Sequence, residues 1–319
     1  MITKPLLATA ADLDKVVFPV IGSPKLDGIR CLKIDGRAVS RKFKPIPNDY
    51  IRTWIEKNCS DGFDGEILCL DPAGPFSEVS SMVMSKEHPA EKSFVYAVFD
   101  WVWKDQLDTP FSVRAANVET WFEQVRKDRP EITRHMRPVP QDTISDREHL
   151  DVFHLEWVKV GYEGTMIRDP KGVYKCGRST QKQGILLKIK DWIDEEAEVI
   201  GVVEQMENTN EAKRDEVGDV KRSTAKEGKV GKGTMGKLRC RALSDGCLFS
   251  VGTGWTDEER QFIWDTVDWA HDEGRMGHSI IGAIIKVKHQ PDPGKKKRKP
   301  GVPPRFPQFI GYRNMEIDG

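Results

Sequence analysis

Four short runs rich in β-branched and aromatic residues, at 16–21, 29–34, 66–70 and 94–101, alternate with polar segments, and only residues 22–28 separate the first two. Parallel strands need crossovers of a dozen or more residues, so a connection that short points to antiparallel pairing, and antiparallel sheets are expected rather than a doubly wound parallel one. Two amphipathic helices are predicted at 113–129, ended by Pro130, and at 147–161, with two more strands near 164–167 and 185–189. After Asp191 the pattern becomes strand, turn, strand, at 197–204, 237–242, 248–252 and 283–290. One helix interrupts it at 257–270, opened by Thr256 with Glu259 at the capping-box spacing. A handful of short strands with one helix predicts a small barrel of the OB type. The expected class is therefore α+β, with domains at 1–190 and 191–319. Residues 208–233 and 290–304 carry too little large apolar surface to offset ordering entropy and are expected to be mobile alone.

Lys25-Leu26-Asp27-Gly28-Ile29-Arg30 carries the sharpest local chemistry. A lysine amine at the end of a strand can act as a nucleophile once deprotonated, and nearby cations or desolvation favour that form. On its own the hexapeptide reads equally as an Asp-Gly hairpin turn between solvated basic residues. Other metal or redox chemistry finds little support. The six cysteines include no C-x-x-C pair, and the seven histidines show no zinc-ligand spacing. No segment reaches the ~18 apolar residues of a membrane span, and the N-terminus lacks a signal-peptide core. The expectation is a cytoplasmic monomer without membrane contact.

Lys25-x-Asp27-Gly28-x-Arg30 resembles the nucleotidyltransferase signature of ATP-dependent DNA ligases, RNA ligases and mRNA capping enzymes. Further segments resemble the family's later motifs in their fixed order. They are Ser40-Arg41 with Pro45-Ile46, Phe63-Asp64-Gly65-Glu66-Ile67, Ala97-Val98-Phe99-Asp100-Trp101, Glu163-Gly164-Thr165-Met166-Ile167-Arg168 and Lys188-Ile189-Lys190. A single Glu-Gly or Lys-x-Lys decides nothing; six matches in order do. Glu-Gly at 163–164 is typical of DNA ligases, whereas capping enzymes tend toward Asp-Gly-Leu. Residues 251–260 resemble a ligase OB segment, and Arg305-Phe306-Pro307-x-Phe309-Ile310-Gly311-x-Arg313 resembles the last ligase motif.

The resemblance covers nearly the whole chain and is to the minimal, two-domain, phage-type ligases. It implies an antiparallel adenylation domain followed by an OB domain, and an enzyme that uses ATP with Mg2+ or Mn2+ to seal nicked duplex DNA through a lysine–AMP bond. An RNA ligase of the same superfamily is the alternative. By the same resemblance Lys25 is the nucleophile, Arg41 engages the 5′-phosphate at the nick, and Lys188 and Lys190 meet the α-phosphate. Arg30, Glu66, Phe99 and Arg305 belong to the nucleotide site, with Phe99 stacking on adenine. Glu163 and Glu66 belong to the metal site.

Lys+Arg equals Asp+Glu, so any grip on DNA must come from a local field. Residues 286–305 hold eight Lys or Arg against one Asp. Lys295, Lys296, Lys297, Arg298 and Lys299 are accordingly expected to contact phosphates.

Overall fold

The computed structural model describes residues 2–69, 76–87, 89, 93–214, 220–223, 225–272, 280–291 and 298–313. The chain divides into two compact units: Met1–Lys190 with Arg214–Lys221, and Asp191–Lys213 with Arg222–Gly319.

The first unit is built on two five-stranded sheets. One runs in the order Thr9–Ala10, Leu187–Lys190, Gly164–Arg168, Val20–Pro24, Asp142–Ile144. The other runs Arg37–Ser40, Ile29–Ile34, Phe63–Cys69, Phe94–Trp101, Met136–Pro138. Pairing is antiparallel as expected, except where the short strands Thr9–Ala10 and Met136–Pro138 add in parallel at an edge. The strand expected at 16–21 begins only at Val20. Pro19 has no N–H to give a ladder, so pairing starts after it.

Helices Asp49–Asn58, Phe76–Met84 and Phe111–Asp128 cover the second sheet. Ile51, Ile55, Val79, Met82, Val118 and Phe122 pack there on Phe63, Ile67, Phe94, Tyr96 and Val98 in one buried core. The first sheet buries Val20, Ile144, Ile167 and Leu187 against Leu150 and Phe153 of the helix Arg147–Lys159. Asp146 caps that helix by accepting from the backbone N–H of His149.

In the second unit five strands run in the order Leu248–Val251, Lys229–Ala242, Ile193–Asn208, Ile284–Gln290, Arg305–Tyr312. Two of them are far longer than the sequence suggests, because polar alternation continues each strand beyond its apolar stretch. The expected barrel is not closed by a ladder. Among the described residues its two edges meet at the bridge Thr253–Gln308, just past Val251, where Phe309 N–H donates to Thr253 O at 2.9 Å. The helix Asp257–Asp272 starts where expected, and the capping box forms: Thr256 N–H donates to Glu259 Oε2 at 2.7 Å. Trp255 stacks on Phe309 with ring centroids 4.6 Å apart, sealing the core of Val199, Leu238, Cys240 and Val287.

The segment expected to be mobile at 208–233 holds a two-stranded sheet, Ala212–Arg214 with Val220–Arg222. Its side chains are exposed, so apolar burial does not order it. Asn208 and Asn210 do so instead, donating from their side-chain amides to Ser223 O and, for Asn210, to Ala225 O. All six cysteines are free thiols. Among the described residues no helix is long and apolar enough to cross a membrane.

Candidate active site

Lys25 follows directly on the strand Val20–Pro24 and is held by its backbone on both sides. Its N–H donates to Gly164 O at 2.8 Å, and its O accepts from Glu163 N–H at 3.2 Å. The lysine and the Glu163-Gly164 pair are thus fixed as neighbours before any side chain is considered. Gly164 has φ of 149°, and a Cβ there would collide with the carbonyl oxygen of Ile189. Only glycine lets the strands Gly164–Arg168 and Leu187–Lys190 approach so closely at that point.

That approach sets Gly164 opposite Lys190 and Met166 opposite Lys188. The Nζ of Lys25 donates to Glu163 Oε2 while the Nζ of Lys190 donates to Oε1, so one carboxylate bridges two ammoniums. The Lys25 side chain is 20% exposed and that of Glu163 10%. Burial alone would raise the Glu163 carboxyl, but Lys25 and Lys190 outweigh it and hold the group below the ordinary carboxylate range. Lys188 is depressed, first by burial and then by Lys190 and Lys25 beside it.

A cavity of about 220 Å3 opens beside Lys25, and Arg30, Arg41, Glu66, Phe99 and Lys188 line it. Six residues expected at the site therefore share one wall or another of a single space. Glu163 and Lys190 are not among its lining residues and connect to it through Lys25.

Two buried ion networks support the cavity. Arg30 donates through Nε and Nη2 to the Asp64 carboxylate at 2.8 and 2.5 Å, and through Nη1 to Leu6 O at 2.6 Å. Burial works against the Arg30 charge, but Asp64 overrides it and keeps the guanidinium protonated. Tyr174 O–H donates to the same carboxylate at 3.1 Å. In the second network Asp100 accepts from Arg114 Nε at 2.8 Å and from Arg168 Nη1 at 2.6 Å. Arg30 and Arg168 each lie over the Phe99 ring, 5.3 and 5.5 Å from its centroid. These cation–π contacts fix the aromatic plane. Glu66, beside them, is pushed up to about 7, first by burial, with Lys25 and Arg30 working against the shift.

Arg168 and Met166 also line the cavity, as does Arg178, whose Nη1 donates to Ala8 O at 2.5 Å. Sequence reasoning assigned no role to these three, or to Asp64 and Asp100. Asp64, Asp100, Met166 and Arg168 stand inside recognised motifs, which was the available signal; nothing local marks Arg178.

Lys295, Lys296 and Lys297 lie outside the described residues. Lys299 is exposed. Arg298 departs from the expected phosphate contact. Its guanidinium donates to Glu195 Oε1 at 2.7 Å, to Asp245 Oδ1 and Oδ2 at 2.9 Å, and to Val302 O at 2.6 Å. With 8% of the side chain exposed and its donors occupied, Arg298 ties Glu195, Asp245 and Val302 together within the second unit. Arg305 stands in the strand Arg305–Tyr312 with its guanidinium 5.8 Å from the Phe306 ring.

The implied divalent ion can be weighed against the donors present. Among the described residues no cluster of three or more His, Cys, Asp or Glu could hold a metal alone. A Mg2+-type site takes one or two carboxylates and completes its shell with phosphate oxygens and water, so Glu163 fits as a single hard oxygen donor.

Residues 1–190 match the ATP dependent DNA ligase domain family, and residues 227–313 match the DNA ligase OB-like domain family. The DNA ligase of African swine fever virus, isolate Pig/Kenya/KEN-50/1950, is 27% identical over 133 residues. That match takes in 42% of this chain and 30% of the viral protein, so the chain spans under a third of that relative. The crystal structure of Chlorella virus DNA ligase-adenylate is similar across 98% of this chain and 100% of its own, at 30% identity and a TM-score of 0.54. A Lig E DNA ligase shares the fold, with a TM-score of 0.66 at 23% identity over 96% of this chain and 98% of its own. Since the first family match alone takes in 190 of 319 residues, the chain belongs to the ATP-dependent DNA ligase family.

Proposed function

We propose that this protein seals nicks between a 3′-hydroxyl and a 5′-phosphate in duplex DNA, consuming ATP and carrying AMP on Lys25. One observation carries the reading: the Lys25 amine borders a cavity walled by Arg30, Arg41, Glu66, Phe99 and Lys188, with Glu163 bridging Lys25 to Lys190. Phe99 offers a ring for adenine, Arg30 and Glu66 polar groups for ribose, and Lys188 with Lys190 cations for the α-phosphate.

In the first step Nζ of Lys25 attacks the α-phosphorus. The N–P bond forms as the bond to the bridging oxygen breaks, and pyrophosphate leaves with the electron pair. Attack requires the neutral amine, so one proton must pass from Nζ to water, while the Glu163 carboxylate, still paired with Lys190, stays ionised. Lys188 and Lys190 remain to stabilise charge on the phosphoryl oxygens. In the second step an oxygen of the nick 5′-phosphate, held by Arg41, takes the AMP and Lys25 departs as the amine. In the third the 3′-hydroxyl attacks the activated phosphate and AMP is released. A divalent cation, Mg2+ or Mn2+, held by Glu163 and the phosphates would supply further charge neutralisation there.

The second unit would grip the duplex through phosphates, independently of sequence. The test is sealing of a labelled nicked DNA duplex with ATP, run beside the same nick with RNA strands. Joining confined to RNA ends would replace this reading with the RNA-ligase alternative.

A further inference from the structure

A second cavity stands against the first sheet besides the one next to Lys25. This space of about 410 Å3 lies between the segment 15–20, the turn at 169–171 and the loop at 181–184. Its floor is Val20, Ile167 and Leu187, all buried members of the core on that sheet. Their strand neighbours Met166 and Lys188 line the cavity beside Lys25. Successive side chains of a strand point to opposite faces, so the two cavities stand back to back across one layer of sheet.

The walls of this second space are tied together without a ligand. Asp12 N–H donates to Gln181 Oε1 at 2.8 Å, and Gln181 Nε2 returns a bond to Asp12 O at 3.2 Å. Ala11 N–H donates to Lys188 O at 2.9 Å. The cavity is therefore preformed, and its size falls in the usual range for small-molecule sites, roughly 300–1,000 Å3.

The rim decides which chemistry it can recognise. Lys15 is paired with Asp12 at 2.6 Å. The carboxylate of Asp169 accepts from the backbone N–H of Lys171 at 2.9 Å. Gln183 Oε1 accepts from Lys175 Nζ at 2.8 Å and from Thr180 N–H at 3.1 Å. With these groups committed, the ammoniums of Lys171 and Lys182 remain, exposed and without a carboxylate partner among the described residues. Val17, 84% exposed at the mouth, adds apolar surface.

We propose that this cavity is a second ligand site of the first unit, taking an amphipathic organic anion: an aromatic or branched aliphatic body on Val16, Val17 and Phe18, the apolar lining residues left accessible above the buried floor, with an acidic group at Lys171 and Lys182. Neutral ligands would leave both ammoniums unpaired, and inorganic anions would leave that apolar surface bare.

The experiment is a titration of the full chain, labelled at Ile, Leu and Val methyls, with 1-anilinonaphthalene-8-sulfonate, followed by NMR. Saturable shifts are expected at the methyls of Val16, Val17, Ile167 and Leu187. Charge reversal at both lysines, K171E with K182E, should weaken this binding by about tenfold, the scale of two exposed ion pairs. Arginine at both positions should preserve it. The parent amine lacking the sulfonate should bind about as weakly as the probe does to the charge-reversed protein, which tests the anion preference without any variant. Absence of shifts at those four residues, or equal affinity for the sulfonate and the neutral compound, would overturn the proposal.

Discussion

A half-buried carboxyl beside two cations makes Glu66 a reporter of the site's electrostatics. Its folded-state value, about 7, stands above the ordinary 4.5. A raised carboxyl favours folding while it is protonated, so its contribution is complete below about pH 4.5 and is lost as pH rises through 7. Glu66→Gln removes this dependence. The melting temperature of the variant minus that of the parent should therefore rise between pH 5 and 8, by a few degrees if the loss is ~1–2 kcal/mol. A difference that stays flat across that range would show Glu66 to be solvated in the folded chain. At this scale the sequence was most readable where chemistry is contiguous. Lys25, Asp27, Gly28 and Arg30 sit within one hexapeptide, and Lys25 and Arg30 line one cavity. Asp64 and Asp100 were quoted within motifs, yet their role depends on arginines 34 and 68 residues away, which no local pattern reveals.

Gly164 couples two elements, because the close approach of its strand to Leu187–Lys190 sets where Glu163, Lys188 and Lys190 stand. Gly164→Ala should push the strands apart and lower the rate of enzyme adenylation by about 100-fold, the scale of a ~1 Å misplacement. Gly161 provides the control. It too has positive φ, at 103°, but open space surrounds its Cβ position. Gly161→Ala should cost stability alone and leave the adenylation rate within about threefold, since only backbone strain is added. Equal effects from both substitutions would remove the positional argument. The long helices were legible because 13 and 18 residues carry several turns of apolar repeat. The helix Asp49–Asn58 was not, since only Ile51 and Ile55 are buried on it and two positions do not define a period. Strand ends in the second unit were misplaced for a related reason: their outer stretches are polar, and backbone pairing rather than burial extends them.

At the scale of the whole molecule, the basic run at 295–299 sets Arg298, whose guanidinium is held by Glu195 and Asp245, beside four lysines expected to meet phosphates. Arg298→Ala leaves Glu195 and Asp245 without their common partner, and should lower the midpoint of the second unit's unfolding in urea. Serine at Lys295, Lys296, Lys297 and Lys299 together should leave stability intact. It should instead flatten the dependence of nick affinity on salt by about two to three units of log–log slope, nearly one for each phosphate no longer neutralised. An unchanged slope would mean that these lysines are solvated and that DNA is held elsewhere. None of these outcomes bears as directly on the enzyme as the identity of the nucleophile. The decisive measurement is incubation of the parent chain and Lys25→Ala with α-labelled ATP and magnesium, followed by denaturing electrophoresis. The parent should carry acid-labile label, whereas Lys25→Ala should carry none and still seal a nick that is already adenylated. Label retained on Lys25→Ala, or none on the active parent, would contradict covalent catalysis at this lysine.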